Sequence, residues 1–183
     1  GDVAQRPWIG TFHSFSLWML HRHWQDANLP KGFVIYDADD QKALMREILS
    51  ATPEQTPPAK AGVYLDVIQR LKDDLMDAKS YAIHTDVSSN PYRSEIAQIY
   101  LKYQELLRQR GALDFGDLLL EANVLLRDHP EIAKMYQQRY NYLLVDEYQD
   151  VNRSQYALMK ALHGDQGSLT CVGDDDQVIY EWR

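Results

Sequence analysis

"YLLVDEYQD", residues Tyr142 to Asp150, sets an apolar run directly against a polar, acidic tail. An ordinary buried strand stops at a turn residue. Here Asp146, Glu147 and Asp150 crowd the strand's end, and close carboxylates repel one another unless a cation or ligand compensates. The stretch points to a metal-dependent site. It also decides the fold. Tyr142–Val145 and Ser168–Val172 are short, apolar and β-rich, with a helical pattern over about Arg153–His163 between them. A strand, helix, strand unit implies parallel strands in an α/β sheet. In such a sheet the loops at the carboxyl ends of the strands form the ligand crevice. Asp146 and Glu147 reach that edge from one strand, and "GDDDQ", Gly173 to Gln177, reaches it from the next. Asp after an apolar strand holds Mg²⁺ in many nucleotide hydrolases, and the adjoining Glu takes the proton of the attacking water. Gln177 is placed to sense a terminal phosphate by hydrogen bonding.

Outward from this unit the chain reads as helix. "DDQKALMREIL" puts Leu44, Ile48 and Leu49 on one face, following a brief extended piece at Phe33–Asp37. A helix opening on Thr56 and Pro57 carries a buried stripe of Val63, Val67, Ile68, Leu71 and Leu75. Asn90 as cap, Pro91 first and Gly111 just past the end frame another helix, with Ile96, Ile99, Tyr100, Tyr103 and Leu107 inward. Asp114 caps a further helix, and "PEIAKMYQQRY" is a shorter one. Near the N-terminus, Trp8–Phe12 reads as a strand entering a helix capped by Ser14. The fold class is therefore α/β but predominantly helical: pieces of a parallel sheet at both ends and a large all-helical insertion between them.

Composition bounds the function. Across 183 residues, 45% apolar and 25% charged content is ordinary for a globular protein. No apolar run approaches membrane-spanning length, so no membrane partner is expected. The single cysteine, Cys171, excludes a disulfide framework and fits a reducing cytoplasm; in an apolar strand it reads as a small core residue. A net charge of -8 argues against gripping nucleic acid by bulk electrostatics, but not against binding a single strand through stacking aromatics. Asp37, Asp39 and Asp40, and Asp73 and Asp74, read as solvated helix starts or faces. His21 and His23, two apart on a helix, suit no metal site. "DFG" at Asp114–Gly116 begins a helix and lacks the catalytic-loop signature of a kinase.

"LLVDEYQD" and "VGDDDQVIYEWR" resemble the second and third motifs of the UvrD/Rep/PcrA family of superfamily-one DNA helicases. "GTFHSF" resembles that family's TFH motif, and "LDFGDLL" the segment ahead of its second motif. The resemblance implies an ATP-driven motor moving 3′ to 5′ on single-stranded DNA, in repair or replication. It implies a RecA-like motor domain in two parts, residues 1–20 and 140–183, around an insertion over 21–139 that touches duplex DNA. Asp146 would bind Mg²⁺, Glu147 would be the general base, and Gln177 would couple the γ-phosphate of ATP to DNA. Tyr180 and Trp182 would line the single-strand path, with Thr11 and His13 near its backbone. Val151 and Val178 stand where the family usually has Thr and Ser.

None of the nine glycines is followed by lysine, so no phosphate loop occurs in these residues. The expectation is a fragment that is inactive alone and is completed in its parent by a phosphate loop and a second motor domain. A non-catalytic helical module for DNA or protein contact is the alternative.

Overall fold

The computed structural model describes residues 7–51, 60–84, 90–164 and 167–174. Its order is α1 (Phe12–Arg22), β1 (Val34–Ile35), α2 (Ala38–Ser50), α3 (Ala61–Asp73), α4 (Ala78–His84), α5 (Pro91–Gln109), β2 (Ala112–Leu113), α6 (Phe115–Asp128), α7 (Pro130–Arg139), β3 (Tyr142–Val145), a 3₁₀ turn (Tyr148–Asp150), α8 (Arg153–His163) and β4 (Ser168–Cys171). The mostly helical α/β reading holds. β3 and β4 pair in parallel, Tyr142 opposite Ser168 through Val145 opposite Cys171, with α8 as the crossover. A second parallel pair, β1 with β2, joins distant segments; its two-residue strands are too short to leave a periodic signal.

Two cores organise the helices. One gathers Phe15, Met19 and Leu20 of α1 with Leu119, Ala122 and Leu126 of α6, Tyr136 of α7 and Leu158 of α8. The other belongs to α2–α5, around Leu44, Tyr64, Ile68, Tyr100, Tyr103 and Leu107. β2 marks the seam, with Ala112 in one core and Leu113 in the other. α6 is buried around most of its circumference, from Gly116 to Leu126, as befits a helix packed against α1, α3, α7 and α8.

The caps follow local chemistry. Asn90 accepts from the N–H groups of Tyr92 and Arg93, Pro91 leads α5, and Gly111 follows at φ +62°. Asp37 and Asp40 form a capping box on α2, which explains that acidic cluster.

Five expectations are corrected. Residues 8–11 form no strand; α1 begins at Phe12, and Thr11 rather than Ser14 is its cap, accepting from Ser14 N–H at 3.2 Å. Trp8 instead folds its ring edge-on to Phe15, 4.9 Å between centroids. Val63 is exposed, because α3 turns Ala61, Tyr64, Ile68 and Lys72 inward. Asp73 is half-buried rather than solvated, being packed against neighbouring helices. Cys171 is exposed because it ends β4 at the loop edge, paired with Val145. The expected helix start at Thr56 and Pro57 lies outside the described residues. Among the described residues no helix is long and apolar enough to cross a membrane.

Candidate functional site

The acidic stretch leaves β3 through a strained turn. Glu147 adopts φ +51°, ψ 43°, the left-handed region that non-glycine residues seldom occupy. Such a conformation costs on the order of 1–3 kcal/mol and persists only where the surroundings enforce it. Here they do. Val172 N–H donates to Val145 C=O at 2.8 Å, and Tyr148 N–H donates to Val172 C=O at 2.9 Å. The loop after β3 is thereby zipped to the loop after β4. Glu147 N–H donates to Asp146 Oδ1 at 2.9 Å, while the other Asp146 oxygen has no protein donor among the described residues.

Asp146, Glu147 and Asp174 are thus brought to one edge, all exposed, as expected for adjacent strand ends. Gln149 lies between them, donating to Glu147 Oε2 at 2.5 Å and accepting from Asp174 N–H at 3.1 Å. Gly173 permits this approach, since a Cβ there would lie 2.8 Å from Gln149 Oε1. Among the described residues no three His, Cys, Asp or Glu side chains form a ready-made metal cage. That donor set fits Mg²⁺, which takes one or two carboxylates, keeps several waters and shares substrate phosphates. Gln177, Tyr180 and Trp182 lie outside the described residues.

A second group forms at the start of α1. Thr11 is exposed and its hydroxyl caps the helix. The His13 ring lies 5.8 Å from that of Phe115, the first residue of α6. Phe115 is 51% exposed, an aromatic face offered to solvent beside the two residues singled out from the sequence. Burial pushes the His13 imidazole below its ordinary value, which the Asp73 charge only partly offsets.

Beneath this surface is a buried ion cluster that the sequence reading missed. Lys72 Nζ lies 2.6 Å from Asp114 Oδ2 and 2.7 Å from Asp117 Oδ1, with all three side chains shielded from solvent. Tyr103 donates to Asp114 and Gln104 to Asp117, each at 3.0 Å. Asp114 and Asp117 also form the capping box of α6. Every carboxylate oxygen is therefore satisfied, as a buried charge requires. Burial pushes Lys72 down, but the two carboxylates outweigh it and hold the ammonium above its ordinary value. Burial and the neighbouring Asp114 charge push Asp117 up. Gly116 lets α3 approach so closely, since a Cβ there would meet Lys72 Cδ at 2.8 Å.

The next residue of α3, Asp73, joins the two groups. It accepts from Gln69 at 3.0 Å, Asn152 nearby favours its charged form, and it acts electrostatically on His13. Asn152 caps α8, directly after the acidic loop. The signal for Lys72 was in the sequence: Tyr64, Ile68 and Lys72 recur at the inward spacing of α3. Asp114 and Asp117 have capping-box spacing.

DNA helicase II of Salmonella typhimurium is 39% identical over 179 residues, covering 96% of this chain and 24% of that protein. DNA helicase II of Escherichia coli gives the same figures. The ATP-dependent DNA helicase PcrA of Leuconostoc citreum is 34% identical over 182 residues, covering 100% of this chain and 24% of that protein. The chain thus spans about a quarter of the length of these relatives. The description that matches residues 1–183 is the UvrD/REP helicase N-terminal domain. With the acidic strand end, the TFH segment and the α6 motif each placed in one fold, the chain belongs to the UvrD/REP helicase N-terminal domain family.

Proposed function

We propose that these residues are part of an ATP-dependent DNA helicase that moves 3′ to 5′ along single-stranded DNA. The observation that carries the proposal is the enforced left-handed Glu147 beside Asp146, at a strand edge where a second loop converges. In this reading Asp146 would hold Mg²⁺ through water and through the oxygen that has no protein donor among the described residues, and the Glu147 carboxylate would accept the proton of the attacking water. Bound Mg²⁺ with ATP would supply neutralisation of phosphate charge. Gln177 is assigned to the terminal phosphate, and Tyr180 and Trp182 to the DNA path.

Thr11, His13 and Phe115 extend that path. An exposed ring beside a neutral imidazole suits stacking and hydrogen bonding along a single strand, and neither needs a basic field. This fits a chain of net charge -8. We assign residues 1–20 and 140–183 to the motor domain and 21–139 to the insertion. The separate core of α2–α5 supports an insertion, while α6 and α7 share the core of α1 and α8. The bacterial relatives and the lone cysteine favour a cytoplasmic protein, with the second motor domain of the parent chain as an intramolecular partner.

The test uses the full-length parent protein. Hydrolysis of ATP should be stimulated by single-stranded DNA, and Phe115→Ala should weaken strand affinity by roughly one to two orders of magnitude, the usual range for a base–aromatic stack. Hydrolysis indifferent to DNA, or a Phe115→Ala protein that binds as well as wild type, would overturn the reading. The 183-residue chain alone should hydrolyse no ATP, because it holds no phosphate loop.

A further inference from the structure

One side chain reaches both loops of the acidic edge. Gln149 uses the two ends of its amide differently: Nε2 donates to Glu147 Oε2 at 2.5 Å, and Oε1 accepts from Asp174 N–H at 3.1 Å. The amide orientation follows from its partners, since a flip would set oxygen against carboxylate and NH₂ against N–H. Backbone bonds on either side, from Val172 to Val145 and from Tyr148 to Val172, fix the distance that the amide spans. Gly173 is the residue that keeps the space open. An exposed glutamate would otherwise distribute itself over several rotamers.

We propose that Gln149 is a positioning residue that holds the Glu147 carboxylate for catalysis and ties its placement to the backbone of the loop after β4. The inference rests on the assignment of Glu147 as general base. A glutamine that merely stitches two loops together would affect folding; a positioning glutamine affects turnover.

The experiment compares Gln149→Leu and Gln149→Glu in the full-length parent, with Glu147→Gln as reference, under saturating single-stranded DNA. Gln149→Glu keeps the size of the side chain and the acceptor for Asp174 N–H, but it turns a second carboxylate towards Glu147. Both variants should lose between about tenfold and a hundredfold in kcat, the scale of a misplaced reacting group. KM for ATP and melting temperature should stay at their wild-type values, the pattern of an interaction made in the transition state. Wild-type turnover in Gln149→Glu overturns the proposal. So does a loss in Gln149→Leu that tracks a lowered melting temperature, or one confined to KM. If Glu147→Gln itself turns over normally, the assignment of the base has failed, and this inference fails with it. Intact turnover in the Gln149 variants beside a dead Glu147→Gln defeats the positioning role alone.

Discussion

The protonation state of His13 decides what kind of contact it can make. Burial pushes its pKa down, so near neutral pH the ring is uncharged and can exchange hydrogen bonds but cannot pair with a phosphate. His13→Ala should therefore weaken single-strand binding by the parent without altering its salt dependence. Loss of a cationic phosphate contact would instead flatten the slope of log K against log salt by about 0.7. Titrating affinity over a range of salt concentrations separates the two, and a flattened slope contradicts the neutral ring. Among single residues, Asp146 and Glu147 were legible in the sequence because an apolar strand ending in acid is a local pattern. The left-handed Glu147 and the Gln149 bridge were not, because both depend on a loop that returns more than twenty residues later. Phe115 was passed over for a similar reason. Its exposure is set by where α1 crosses α6, which no local spacing encodes.

Between elements, the last turn of α3 and the first turn of α6 depend on each other through Lys72. Lys72→Met leaves Asp114 and Asp117 buried without a cation and should destabilise the protein by about 3–5 kcal/mol in denaturant unfolding. Adding Asp114→Asn and Asp117→Asn to that variant should recover part of the loss, because asparagine keeps the cap while removing the stranded charge. If the triple variant is no more stable than Lys72→Met, the cluster is not held by charge pairing. A neighbouring group adds a pH dependence. Glu121 pairs with Arg108, yet burial lifts its carboxyl from 4.5 to about 7. The folded state thus holds the proton more tightly than the unfolded chain does. The resulting stability is fully present below the unfolded pKa and is lost as pH rises through the folded one. Melting temperature should fall between about pH 5 and pH 7.5. Asp73 and Asp117, also raised, act in the same direction, while Asp77, Asp114 and His13, all lowered, act against it. Glu121→Gln should make the fall shallower; an equal fall in the variant would assign it elsewhere. Helices with full cap signals, α5 and α6, were readable from spacing alone. The strand expected at residues 8–11 was not a strand, since β-prone residues there are used to seat Trp8 on the α1 core.

At the scale of the molecule, one face of the β3–β4 pair is uncovered among the described residues: Tyr142 is 83% exposed and Leu144 73%. Sequence alone showed both only as part of an apolar run, which announces burial without saying which layer provides it. The relatives are about four times as long as this chain, and the activity proposed here belongs to such a longer protein. In that longer protein, ATP hydrolysis is assigned to the enforced Asp146–Glu147 turn. The direct measurement is turnover and nucleotide affinity, side by side, for Glu147→Gln in the full-length parent. Glu147→Gln should lower kcat by at least about a hundredfold with nucleotide affinity unchanged, because a general base acts in the transition state rather than in binding. Normal turnover, or a loss confined to affinity, would contradict that assignment.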